Sequence, residues 1–222
     1  RIARILGIGF DTTSRHASAS IYGYWEGLGL EGYHWYYDLG AAVGSIPTNN
    51  GETCVFASVP QDRFEAGRAD GLEALYHQAL RDVSSDLAER VARSEGPGKL
   101  RAFAGEHGFF RQPTGPGWAL IGDAAYFRDP ITAHGITDAL REAEFLARAV
   151  LEGGEKALVA YGAARDQRVR GLFDITDQIA SFDWDMQEVK DQHLVLAREM
   201  NSLVDVTRTL DLEVSAPVTI SS

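Results

Sequence analysis

Asp123 stands in a Gly122–Asp123 turn ahead of Gly135, where an amphipathic helix is expected to begin, and such an acid beside a helix start can hold a polar ligand. The carboxylate suits the hydroxyls of a polyol, because an ionised Asp offers only acceptors. The helix start offers free backbone N–H groups and about half a positive charge, which favour carbonyl or anionic oxygens. Pro130 lies in the loop between the two. A plainer account of the same residues is an Asx turn followed by ordinary loop punctuation, and spacing alone leaves both accounts open.

The elements that must position these residues are legible around them. Trp118, Ala119, Leu120 and Ile121 form a short apolar run that reads as a buried strand, ended by Gly122 and Asp123. Beyond the loop, Ile136, Ala139, Leu140, Ala143, Ala147, Val150 and Leu151 recur at intervals of three and four, with Asp138, Arg141, Glu142 and Arg148 on the other face. Gly135 starts this helix and Gly153 stops it.

Gly122, Asp123, Ala124, Ala125, Asp129, Pro130, Gly135, Asp138 and Ala139 together resemble the second flavin-contacting motif of the FAD-dependent aromatic-hydroxylase-type monooxygenases, the p-hydroxybenzoate hydroxylase-like group. The resemblance implies that Asp123 hydrogen-bonds the ribityl chain of FAD and that Pro130 lies near the isoalloxazine ring. The backbone around Gly135 and Ile136 would face the pyrimidine edge. His134 falls where the family tolerates several residues, so no catalytic side chain is assigned. The implied reaction is NAD(P)H reduction of FAD, formation of a flavin C4a-hydroperoxide with oxygen, and hydroxylation of an aromatic or related organic substrate.

Two other readings stay open. Flavin-dependent halogenases and isoprenoid-chain reductases share a very similar fold and this motif, and the stretch from Trp35 to Pro47 partly resembles the halogenase Trp-rich segment ending in Ile-Pro. A binding or assembly subunit without catalysis is the third reading.

The chain as a whole narrows the field. Its 222 residues carry a net charge of −11, which argues against nucleic acid or an anionic membrane surface as a partner. There is no apolar run of transmembrane length and no signal-peptide pattern, and a single cysteine, Cys54, fits a reducing cytoplasm and a small buried core residue. No Ser-His-Asp order, paired-histidine metal motif or P-loop is present. The G-x-G-x-x-G turn that holds a dinucleotide pyrophosphate is absent too. With the chain beginning at Arg1, these observations predict the C-terminal part of a longer enzyme whose N-terminal FAD-binding portion is its main partner. That reading expects an uncovered apolar surface beside the Trp118 strand.

The expected fold is α+β / α/β, the C-terminal portion of the p-hydroxybenzoate hydroxylase-like FAD/NAD(P)-binding fold. Residues 1–15 would be a remnant of the FAD domain. Residues 16–112 would form an antiparallel substrate sheet with covering helices, because Ala17, Ala19, Ile21, Gly23 and Trp25 alternate with Ser18, Ser20, Tyr22 and Tyr24. Further strands are expected over 33–38, 41–47 and 53–59, with a tight turn at Asn50-Gly51.

The rings crowded between Tyr22 and Tyr37 suit a flat organic substrate, although aromatics also favour strands for their own packing. Tyr22, Tyr24, Trp35 and Tyr37 are the substrate-binding candidates, with Arg111 at the crossing back to the flavin domain. Residues 113–172 would complete the FAD domain, and 173–222 would be a helical extension that caps the pocket or makes a homodimer contact.

Overall fold

In the computed structural model, which describes residues 2–96 and 98–211, period-two alternation has become a five-stranded antiparallel sheet. Pro97 and the part of the expected 173–222 extension beyond Asp211 lie outside the described residues. A short helix α1 (Ile2–Ile5) and β1 (Thr12–Thr13) lead into β2 (Ser18–Glu26), β3 (His34–Asp38), β4 (Ala41–Pro47) and β5 (Glu52–Pro60). Three helices follow, α2 (Gln61–Gly67), α3 (Leu72–Val83) and α4 (Ser85–Arg93). Short strands β6 (Arg101–Phe103), β7 (Phe109–Phe110), β8 (Thr114–Gly115), β9 (Trp118–Ala119) and β10 (Tyr126–Phe127) bring the chain to α5 (Gly135–Glu152), α6 (Gly154–Ala180) and α7 (Met186–Asp211).

The large sheet has the order β3-β4-β5-β2-β6. Asn50 (φ 60) and Gly51 (φ 77) supply the positive φ that the turn into β5 requires. The face of β2 carrying Ala19, Ile21 and Trp25 is buried against α3 and α4, whose Leu75, Tyr76, Leu80, Leu87 and Val91 complete one core. Leu80 and Leu87 are 0% and 1% exposed, and each such burial stabilises by about 2 kcal/mol. Trp25 Nε1 donates to the Tyr76 hydroxyl at 3.1 Å, and that hydroxyl donates to the Val55 carbonyl, so both polar tips inside this core are satisfied. The opposite face of β2, with Ser20, Tyr22 and Tyr24, is left to line a cavity.

A second core joins α6 and α7 through Leu172, Ile175, Ile179, Val189, Leu196 and Leu203, and reaches the sheet at Ala42 and Tyr37. α6 runs through to Ala180, past the expected boundary at 172, because Phe173, Ile175 and Ile179 continue its buried stripe.

Two expectations are corrected. The strand expected over Trp118–Ile121 is confined to Trp118–Ala119, paired only with Thr114–Gly115, since no other described strand lies beside Leu120 and Ile121. Helix α5 buries the opposite side from the one its periodicity suggested. Asp138, Arg141 and Glu142 are 2%, 8% and 3% exposed, whereas Ile136, Leu140 and Leu151 are 82%, 69% and 85% exposed.

On the charged side Asp138 is ion-paired and Glu142 is hydrogen-bonded through one oxygen. Asp138 meets Arg128 at 2.8 Å and also pairs with Arg141, while Glu142 accepts from the Gly122 N–H at 2.8 Å. Leu120 is covered by Ala3 and Ala125, while uncovered apolar side chains lie on α1, at Ile2 and Ile5, which packs beside the Trp118 strand, and along α5. Among the described residues no helix is long and apolar enough to cross a membrane.

Candidate functional site

A cavity of about 830 Å³ lies between the pocket face of β2 and the Gly122–Ala139 stretch. Asp123, Pro130, Gly135 and Ile136 line it together with Gly122, so the five residues that the resemblance assigned to the cofactor converge on one space. Gly122 has φ 53, and a Cβ there would stand 3.0 Å from the Ala139 side chain, which lets the turn close against α5. The carboxylate of Asp123 is exposed to the cavity and is engaged by no described residue. One of its oxygens lies 3.9 Å from where a Gly135 Cβ would stand, facing the helix start. An Asx turn would have used that carboxylate locally, and no such bond is made here.

The first turn of α5 is equally uncommitted, because its N-cap residue His134 makes no side-chain capping bond. Burial lowers the His134 pKa, and its Nδ1 meets the Thr132 carbonyl. Asp129 plays a different part from Asp123. It is 4% exposed, caps the 3₁₀ turn at Pro130–Thr132 through the Ile131 N–H at 2.9 Å, and accepts from Ser18. Burial raises its pKa even though these hydrogen bonds favour the charged form.

The aromatic candidates separate. Tyr22 and Tyr24 line the main cavity, and Tyr22 and Trp35 line an adjoining chamber of about 360 Å³. Tyr37 is placed elsewhere: its ring packs 4.4 Å from His193 of α7 and 6.4 Å from Trp184, and burial pushes its hydroxyl up to about 12. Arg111 also lies outside both spaces, its guanidinium over the rings of Phe10 and Phe109 at 4.4 and 4.6 Å. Cys54 belongs to the cavity face, opposite Tyr24 across the β2–β5 pairing, and not to the core that the sequence suggested.

Sequence reasoning missed Phe56, Phe103, Phe127, Ser58 and Ala133, which line one or both spaces. The alternation of β5 would have found Phe56 and Ser58, since they pair with Tyr22 and Ser20. Phe103 and Phe127 sit in short strands without a local signal.

The cavity thus has a motif turn and helix start on one wall and an aromatic sheet on the other. No protein-family model matches the chain, and no curated protein matches it. Solved structures do. A triple mutant of the flavin-dependent brominase Bmp2 aligns with a TM-score of 0.69 at 19% identity over 93% of this chain and 60% of that one. Klebsiella pneumoniae HpxO complexed with FAD and uric acid aligns at 0.65 and 21% over 91% and 55%. The myxobacterial chondrochloren halogenase CndH, described as a variant of FAD-dependent halogenases, aligns at 0.65 and 24% over 76% and 42%. The chain thus has the p-hydroxybenzoate hydroxylase-like fold of flavin-dependent monooxygenases and halogenases, and spans roughly half the length of these structures.

Proposed function

We propose that this chain is the flavin-ring and substrate-binding part of an FAD-dependent monooxygenase acting on an aromatic or related organic substrate. The observation that carries this reading is the unpartnered Asp123 carboxylate beside the uncapped start of α5, both on one wall of a cavity large enough for a flat ring system.

The residues fit the cofactor. Asp123 would accept hydrogen bonds from the ribityl hydroxyls, and the N–H groups around Gly135 and Ile136 would face the ring's carbonyl edge. Pro130 and Ala133 would wall the ring on the side shared with the adjoining chamber. When bound and reduced by NAD(P)H, FAD would supply oxygen activation. The protein's share is to orient the ring, exclude water with the aromatic sheet, and favour negative charge near the helix start, a contribution of about 0.3 to 2 kcal/mol.

The pyrophosphate and adenine would be held by a dinucleotide-binding portion outside this chain. Its seat would be the apolar side of α5, where Ile136, Leu140, Val150 and Leu151 are uncovered. The test is the colour of the protein encoded by the whole gene. It should carry a flavin absorbance band, and Asp123→Ala should weaken flavin retention; a folded, colourless protein refutes the reading.

A second reading, flavin-dependent halogenation, is favoured by the likeness to Bmp2 and CndH. NAD(P)H oxidation stimulated by a phenolic substrate supports hydroxylation. Halide-dependent product formation with separately supplied reduced flavin supports halogenation.

A further inference from the structure

The smaller chamber shares the wall of Tyr22, Phe56, Phe127 and Pro130 with the main cavity, yet its chemistry is different. The main cavity includes Asp123, Arg128, Asp129 and Asp138, whereas no carboxylate, guanidinium, ammonium or imidazole lines the chamber. Trp35 and Phe56 form its aromatic side, with ring centres 5.9 Å apart at 60°. Gly44 makes that arrangement possible, because a Cβ there would fall 2.5 Å from the Phe56 ring. Apart from the edges of Tyr22 and Trp35, the side-chain polarity of this lining is confined to two serines.

Those serines are built as a unit. Ser20 and Ser58 face each other in the β2–β5 register, and their hydroxyl oxygens are 2.7 Å apart. Ser58 is 1% exposed and Ser20 is half-buried, so Ser58 braces Ser20 from behind. One hydroxyl hydrogen lies between them, which leaves the pair one further O–H and free lone pairs to offer a ligand. A carboxylate in this chamber would meet no cation, in a chain that carries a net charge of −11.

We propose that the Ser20–Ser58 pair is the polar contact of a substrate chamber for an uncharged, fused-ring aromatic bearing a hydroxyl or carbonyl group. The aromatic walls stack or edge against the ring, and Ser20 takes its single polar substituent. The assignment places this chamber on the substrate side of the flavin cavity and in that respect rests on the proposed function.

Equilibrium dialysis of the 222-residue chain against 2-naphthol, naphthalene and 2-naphthoate at neutral pH tests it. We expect 2-naphthol to bind about tenfold more tightly than naphthalene, and 2-naphthoate to bind about a hundredfold more weakly than 2-naphthol. Ser20→Ala, with folding checked by circular dichroism, should bring 2-naphthol down to naphthalene. Equal or tighter binding of 2-naphthoate, no preference for 2-naphthol in the unaltered chain, or no binding of any probe overturns the proposal. An unchanged preference in folded Ser20→Ala overturns it as well.

Flavin retention by the whole-gene protein is read separately from its absorbance. A colourless protein whose 222-residue part still prefers 2-naphthol refutes the flavin reading and supports the chamber. A yellow protein whose 222-residue part prefers 2-naphthoate refutes the chamber alone.

Discussion

Asp129 accepts hydrogen bonds from both the backbone N–H and the hydroxyl of Ser18, at 2.5 and 2.6 Å, across 111 positions of sequence. One buried carboxylate therefore fixes the Pro130 loop to the strand that carries Ser20, Tyr22 and Tyr24. The distance between the motif wall and the aromatic wall of the cavity depends on that bond pair.

Replacing Asp129 by Ala should leave the wholly buried Ser18 N–H and hydroxyl without partners and lower stability by about 3 kcal/mol. Asp129→Asn, which keeps one acceptor oxygen, should lose less. Urea unfolding followed by tryptophan fluorescence reads the difference. An Asp129→Ala midpoint equal to that of the unaltered chain would show that the tie between loop and sheet is not needed.

Glu142 makes stability fall with rising pH. Burial is the main cause that pushes its carboxyl up to about 7 from 4.5, so the folded chain keeps a proton that the unfolded chain releases. The resulting stabilisation is complete below pH 4.5 and is lost as pH rises to about 7. Glu142→Gln keeps an acceptor for the Gly122 N–H and removes the charge. It should flatten this part of the pH profile and stabilise the chain at pH 8 by on the order of 3 kcal/mol. Denaturation at a series of pH values checks it, and an unaltered slope would count against the assignment.

Gly122→Ala places a side chain at φ 53 and 3.0 Å from the Ala139 methyl. A loss of about 1–2 kcal/mol in stability is expected from the backbone conformation alone. Because the turn also carries Asp123, the whole-gene protein should release flavin more readily, measured as free flavin after gel filtration. Full retention with full stability would contradict both expectations.

Leu140 and Leu151 are the residues to change on the uncovered side of α5. Each replaced by Lys should alter the stability of the 222-residue chain by no more than about 0.5 kcal/mol, since both are exposed there. In the whole-gene protein the same substitutions should cost about 1.5–3 kcal/mol each by placing a charge where apolar surface is covered. Paired urea titrations make the comparison, and equal small effects in both proteins would remove α5 as the seat of a further portion.

Much of the sheet was legible because strand signals are local. The alternation of Ala19, Ile21 and Trp25 with Ser20, Tyr22 and Tyr24 separated core face from cavity face. The nine motif positions marked Asp123, Pro130 and Gly135 as one constellation, and the structure gathers them around one cavity.

What the sequence by itself determined about this protein was therefore the periodicity of its elements and the identity of the residues at its central turn. Tertiary structure decided which side of α5 is covered and which residues of β3 are. In α5 the apolar stripe is the visible signal, yet the charged stripe is buried, with Asp138 paired to Arg128 and Glu142 accepting from the Gly122 N–H, partners brought in by chain folding. Trp35 and Tyr37 share one strand face, but only Trp35 lines the chamber beside Pro130, since α7 arrives from the far end of the chain to pack on Tyr37. A side chain's periodicity is set by its own backbone, whereas its burial depends on partners remote in sequence.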